Sequence, residues 1–125
     1  MIRLLIGRHE VLPESLAARY PELRGMSLRR AGLPPRIAGW CLGQQTVAAI
    51  TLWRTVWLGQ RIVPDASLLL HEWRHVAQFG ATPVFPILYL WESLRRGYWN
   101  NRYEIDARRY AADRIRETTH AEMDR

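Results

Sequence analysis

Apolar and polar side chains alternate along residues 46–58, a stretch rich in β-branched and aromatic residues. Such alternation is typical of a strand with two different faces. Neither Trp53 nor Arg54 favours the positive φ angles of common two-residue turns, so one long strand and a tight hairpin turning at these residues both remain open. Gly59 and Pro64 end the strand pattern in either case.

The next stretch has the pattern of a capped helix. Asp65 and Ser67 are candidate N-caps and Gly80 is a candidate C-terminal stop, which predicts a helix from about residue 66 to residue 79. Most of its surface is apolar, so we expect the helix to be largely buried. At 100° per residue one face carries the polar set His71, Glu72 and His75.

Two further helices follow in the pattern. The first covers about residues 87–96, and the second begins at Asn101, its predicted cap. Ala107 and Ala111 lie in an inward stripe that allows this second helix to pack closely against another. Residues 1–45 are rich in Pro and Gly, and we expect short helices and loops there, including a helix after Pro13. The pattern from residue 118 indicates a polar, frayed tail.

The prediction is therefore an α+β, mostly helical fold with a short antiparallel strand or hairpin before the helix at about residues 66–79. We interpret residues 1–125 as a single domain, with an irregular N-terminal segment (1–45), a core (46–116) and a polar tail (117–125). A length of 125 residues with 48% hydrophobic residues is sufficient for one core.

Charge and cysteine content narrow the possible functions. The net charge of +6 comes from arginines scattered along the chain, because lysine is absent, and this scatter disfavours a nucleic-acid groove. No apolar run approaches the roughly 20 residues of a spanning helix or forms a secretory signal, so we expect a cytoplasmic protein without stable membrane insertion. The single Cys41 excludes an internal disulfide and a thiol metal cluster.

The segment HEWRH, residues 71–75, is an HExxH motif on a predicted helix. Histidines four residues apart lie one above the other, so His71 and His75 can both direct a ring nitrogen at one ion. Glu72 then lies beside the ion without binding it, in position to hold a water molecule and accept its proton. The motif predicts a Zn²⁺ site with a carboxylate base.

A third ligand must come from elsewhere in the chain, and Glu104 is the preferred candidate. It lies on the inward stripe of the last predicted helix, although a glutamate three residues after Asn101 is also where a capping-box acid would be found. Asp106 lies off that stripe and ranks second. His9 and His120 lie in a breaker-rich segment and a polar tail, where a lone histidine is usually a surface residue.

At these residues the chain resembles the zincin metallopeptidases, specifically the gluzincin type, over about residues 50–112. The motifs that carry the resemblance are SLLLHEWRHVAQ and RYEIDA. The resemblance implies a strand before the motif helix that pairs with an extended peptide substrate. It also implies zinc ligands at His71, His75 and Glu104, with Glu72 as the general base.

The chain departs from that pattern in one respect. Many gluzincins have an acid four residues after the ligand glutamate, where this chain has Arg108, so a backbone carbonyl or Asp65 would have to orient a ligand histidine. No oxyanion stabiliser is identified from the sequence. Tyr98, Tyr103 and Tyr110 are candidates, but each is expected to be a packed aromatic residue.

The functional hypothesis is a zinc metallopeptidase that hydrolyses peptide bonds with a Glu-activated, zinc-bound water and acts on a peptide or protein. The alternative is a catalytically silent, zincin-like binding or scaffold module with a structural zinc. A third interpretation makes the apolar segment 83–99 a surface for lipid or for a protein partner, although we expect it to form core and connector.

Overall fold

The structure is a computed structural model that describes residues 6–32 and 49–125. A small four-stranded sheet lies beside three long helices. The strands are β1 (Arg8–Glu10), β2 (Ser27–Arg30), β3 (Ala49–Leu52) and β4 (Thr55–Leu58). The helices are α1 (Glu14–Arg19), a 3-10 helix (Pro21–Gly25), α2 (Ala66–Ala81), α3 (Phe85–Asn100) and α4 (Arg102–Met123). The prediction of an α+β, mostly helical fold is confirmed.

Strands β3 and β4 form an antiparallel hairpin, which decides between the two alternatives left open by the sequence. The turn places Trp53 at a φ of 55°, a conformation that costs energy for a side chain of this size. The Trp53 ring lies 5.5 Å from the ring of Phe79 on α2, measured between centroids. We infer that this contact helps to hold the turn, because the local sequence does not favour it.

The sheet has the order β1-β2-β4-β3 and is mixed, since β2 pairs parallel to β4 and antiparallel to β1. The expectation of only short helices and loops in residues 1–45 is wrong for β1 and β2. Their sequences, RHE and SLRR, show no regular alternation, and they form strands because they pair with β4 and with each other. The predicted helix after Pro13 is confirmed as α1.

The core lies between the sheet and α2. Val56 and Leu58 of β4 are fully buried and belong to the same cluster as Leu69 and Leu70 of α2. Helix α2 begins where the sequence predicts, because the Asp65 carboxylate accepts a hydrogen bond from the Leu68 amide at 2.8 Å. It continues through Gly80 and ends two residues later than predicted.

Helix α4 packs along α2 through Ala107 and Ala111, which are buried as the small-residue stripe predicts. Asn101 caps α4 by accepting a hydrogen bond from the Tyr103 amide at 2.9 Å. The prediction of a frayed tail from residue 118 is wrong, because α4 continues to Met123. The Thr118 hydroxyl bonds back to the carbonyl of Arg114 within the helix.

Against the described parts of the chain, residues 6–32 and 49–125, helix α3 packs through one face. Phe85 and Glu92 are its buried residues, and a positive φ of 78° at Gly97 breaks its last turn. Such a φ is readily adopted only by glycine, so Gly97 permits the chain to turn toward α4. Within the described ranges no helix has the length and the apolar character needed to cross a bilayer.

Candidate metal centre

Helices α2 and α4 bring His71, His75 and Glu104 together. The Nε2 atom of His71 lies 3.0 Å from Oε2 of Glu104, and the Nε2 atom of His75 lies 2.8 Å from Oε1. The two imidazoles meet edge to face with centroids 5.0 Å apart. One potential ligand atom from each residue lies within 4.8 Å of the other two, so this group could hold a metal ion.

The helices explain this convergence. A spacing of four residues places both histidines on the face of α2 that meets α4. The small side chains of Ala107 and Ala111 allow α4 to approach closely enough for Glu104 to reach both rings. The capping-box alternative for Glu104 is not observed, since its carboxylate contacts the histidines and the Tyr89 hydroxyl.

Burial and neighbouring charges have opposite effects on the pKa values of His75 and Glu104. Burial by itself would lower the pKa of His75, but the hydrogen bond to Glu104 and the negative charges of Glu72 and Glu104 outweigh it and raise that pKa to about 9. Burial alone would likewise raise the pKa of Glu104, yet its hydrogen bonds to His71 and His75 hold it well below its usual value. Glu104 is therefore ionised, and His75 is held in its protonated form at neutral pH.

Glu72 is buried on α2 directly after the first histidine of the motif. Its Oε2 atom accepts a hydrogen bond of 2.6 Å from the hydroxyl of Thr51 on β3. Thr51 is itself buried, and it connects the sheet to the motif helix. This contact fixes the orientation of the Glu72 carboxylate, and sequence reasoning did not identify Thr51.

Gln78 orients His75, whereas the sequence suggested a backbone carbonyl or Asp65 for such a role. The amide nitrogen of Gln78 donates to the carbonyl of Tyr103 and to the carboxylate of Asp106, both at 3.0 Å. These partners only accept, so the amide oxygen must face Nδ1 of His75, which lies 2.8 Å away. Nδ1 therefore carries a proton and donates, and Nε2 points toward Glu104.

The position of Gln78 could have been found from the sequence, because residues three apart on a helix are neighbours. Asp65 instead caps α2. Asp106, the second-ranked ligand candidate, forms an ion pair of 2.7 Å with Arg74 and accepts from Gln78, so it supports the centre from outside.

A tyrosine missed by sequence reasoning contacts the centre. The hydroxyl of Tyr89 on α3 donates to Oε1 of Glu104 at 2.9 Å, and burial together with that carboxylate raises the Tyr89 pKa. Burial and the charge of Glu104 also raise the pKa of Tyr98, although the side chain of Tyr98 is partly exposed and not packed as expected. No spacing rule connects α3 to the motif, which is why Tyr89 was not predicted.

The other candidates lie elsewhere. Tyr103 packs edge to face against Phe85, and the Tyr110 hydroxyl donates to Glu22. His9 on β1 and His120 on α4 are exposed, as predicted. Across residues 6–32 and 49–125, His71, His75 and Glu104 are the group able to hold an ion, and Cys41 lies outside the described residues.

None of the family models, curated proteins or solved structures compared with this chain matches it. The resemblance to zincins therefore rests on the residues of the centre alone. What stands independently of it is a cluster of two histidines and one glutamate that could hold a metal ion.

Proposed function

We propose that this protein is a zinc-dependent peptidase of the zincin type, with His71, His75 and Glu104 as ligands and Glu72 as the general base. The observation that carries the proposal is the convergence of two Nε2 atoms on one carboxylate, with Glu72 in the turn between the two histidines. Two histidines and a glutamate are a donor set of catalytic zinc sites, whereas structural sites usually have four protein ligands.

The distances fit this donor set. Ligand atoms bound to one zinc at about 2.1 Å in a tetrahedron lie about 3.4 Å apart. The N···O distances of 3.0 and 2.8 Å, one to each oxygen of Glu104, are slightly shorter, so a small opening of the cluster would admit an ion. Imidazole nitrogens favour zinc and other transition metals over Mg²⁺ and Ca²⁺, which supports zinc as the ion.

A bound zinc would supply a Lewis acid that lowers the pKa of water and polarises a peptide carbonyl. The residues of the chain would transfer protons and orient the ligands. Glu72, oriented by Thr51, accepts a proton from the attacking water and passes it to the leaving amine. Gln78 keeps Nε2 of His75 directed at the ligand position.

The ligand assignment is tested by metal analysis of protein purified without added zinc. We expect His71→Ala and Glu104→Ala to reduce zinc affinity by more than about 100-fold, because even partners outside the ligand set cost 10–100-fold. His120→Ala and Glu117→Ala are matched controls at exposed positions of α4 and should bind zinc like the wild type. Retention of zinc by Glu104→Ala would show that the third ligand is wrong.

The base is tested separately with a peptide library or unfolded casein as substrate. Glu72→Gln should keep zinc and the fold while reducing hydrolysis by about 10²–10⁴-fold, the usual contribution of a general base. Glu117→Gln, the control, should cut at the wild-type rate. Equal rates in Glu72→Gln and wild type would remove Glu72 from the mechanism.

One observation favours the second candidate, a zinc-binding module without activity. The centre is largely closed, since the most exposed of the three side chains, His71, has 16% of its surface accessible. Cobalt-substituted protein distinguishes the two functions. An open ligand position predicts that azide or a hydroxamate changes the visible spectrum, and an unchanged spectrum would favour the inactive module.

A further inference from the structure

Helix α3 turns a continuous apolar stripe toward solvent. Its residues follow the i, i+3, i+4, i+7 spacing of one helix face. Each has more than half of its surface exposed: Ile87 69%, Leu90 60%, Trp91 58% and Leu94 75%. We call these four residues the α3 stripe. The sequence-based expectation that segment 83–99 forms core and connector is therefore wrong for this face.

The stripe faces solvent because the opposite face of α3 packs against the rest of the protein. Phe85 and Glu92 are buried, and the Tyr89 hydroxyl contacts Glu104 at the metal centre. The apolar surface continues beyond the break at Gly97, where the side chain of Trp99 is 68% exposed. Surface apolar residues are normally scattered singly, so a stripe of this kind marks an interaction surface.

The exposed charged residues of α3 and of the first turns of α4 are all arginines. Arg95 lies next to it on α3, and the Arg108 guanidinium stacks over the ring of Trp99 at 4.0 Å. The exposed Arg102 and Arg109 follow at the start of α4. The acidic residues of α3 and of the first turns of α4 add no unpaired surface charge. Glu92 and Glu104 are buried, and Asp106 is paired with Arg74.

We propose that the α3 stripe binds an anionic lipid surface, with α3 lying in the plane of the interface. An amphipathic helix with leucine and tryptophan on one face and arginine at its border has the composition of such interfacial helices. Basic residues beside the stripe attract anionic headgroups, each by an amount that falls off within a Debye length. Tryptophan also prefers the headgroup region of a bilayer.

A protein partner or a second copy of the chain explains the α3 stripe less well than a lipid surface does. The centre of a protein interface is depleted of charge, but nothing in such an interface requires a border of one sign. The lipid proposal explains the stripe, the tryptophans and the arginines together. It does not depend on bound metal, because neither the stripe nor its arginines contribute to the ligand group.

Flotation of the full chain with vesicles tests the proposal, using either phosphatidylcholine alone or an equal mixture with phosphatidylglycerol. We expect binding to the mixed vesicles that declines as salt is added. Leu94→Glu should weaken it by at least about tenfold, and Arg95→Gln by about fivefold. Val63→Glu places the same charge at another exposed apolar residue and serves as the control for Leu94→Glu.

A second pair of variants leaves charge unchanged. Trp91→Ala should weaken binding, whereas Trp53→Ala, which removes a similarly exposed tryptophan from the hairpin turn, should not. Thermal unfolding of every variant checks that the fold persists. Trp53→Ala also loses the contact with Phe79, so its vesicle binding is compared below its own unfolding transition. Sedimentation velocity at several protein concentrations reports whether the stripe joins two copies.

Three outcomes would overturn the proposal. They are failure to bind mixed vesicles, equal binding to neutral and mixed vesicles, and equal effects of Leu94→Glu and Val63→Glu. A dimer that Leu94→Glu dissociates, together with absent vesicle binding, would assign the stripe to a second copy of the chain.

Discussion

The contact between Gln78 and His75 gives the sharpest prediction about the metal centre. Gln78→Leu keeps a side chain of similar length but removes the acceptor for Nδ1–H of His75 and the donors to Tyr103 and Asp106. The imidazole then loses the group that fixes its tautomer and its ring orientation. Partners of this kind contribute 10–100-fold to metal affinity. We therefore expect the free energy of zinc binding to become less favourable by about 1.4–2.7 kcal/mol.

Competition with a chromophoric chelator measures this affinity, and urea unfolding of the metal-free protein measures the accompanying loss of stability. We expect that loss to be about 2 kcal/mol, from the hydrogen bonds removed. Gln60→Leu is the matched control, because Gln60 is exposed and lies outside the centre. Gln78→Glu restores an acceptor for His75, so it should bind zinc more tightly than Gln78→Leu.

Gln78 does not orient His75 if Gln78→Leu binds zinc as the wild type does while His75→Ala does not. That result would mean that α2 alone holds the ring of His75 in place. It would also mean that Gln78 does not replace the acid that many gluzincins have at the position of Arg108.

Three further predictions concern packing and protonation. Ala107→Leu should separate α2 from α4 and destabilise the protein by about 1–3 kcal/mol, measured by urea unfolding, and an unchanged stability would contradict close packing there. Glu22→Gln should cost about 1 kcal/mol at neutral pH, because burial would raise the pKa of Glu22 but hydrogen bonds led by Arg114 lower it overall. A lowered pKa means that this stabilisation is present above about pH 4.3 and is lost as the pH falls through the folded pKa, so the difference in urea stability between the two proteins should shrink as the solution is acidified below that range. Zinc affinity should rise by about tenfold per pH unit from about pH 6 to 8, since the ion must displace a proton from His75, whose pKa is about 9; chelator competition showing no pH dependence would refute this.

The sequence predicted those features whose determinants are close together along the chain. Asp65 and Asn101 are caps that act on their own helices, and both boundaries are confirmed. The pairing of His71 with His75 follows from helix geometry alone. Glu104 was placed by its position on the inward stripe of α4, and its contacts agree with that placement.

The missed features depend on contacts between distant parts of the chain. Strand β2 forms because it pairs with β4, about thirty residues later, and nothing in SLRR indicates this. Tyr89 and Thr51 reach the centre from elements whose orientation toward α2 no local pattern encodes. The outward stripe of α3 was misjudged for a related reason, since apolar spacing shows that a helix has two faces but not which one is buried.

The candidate ligands lie on two helices, and Glu104 on α4 is 33 positions after His71 on α2. A bound ion would thus act as a cross-link that closes this loop, and loop closure is costly for an unfolded chain. Chelation would remove that tie and make separation of α4 from α2 easier. An ion bound at this centre would therefore stabilise the packing of α4 on α2, and the folded protein would resist proteolysis longer with the metal than without it.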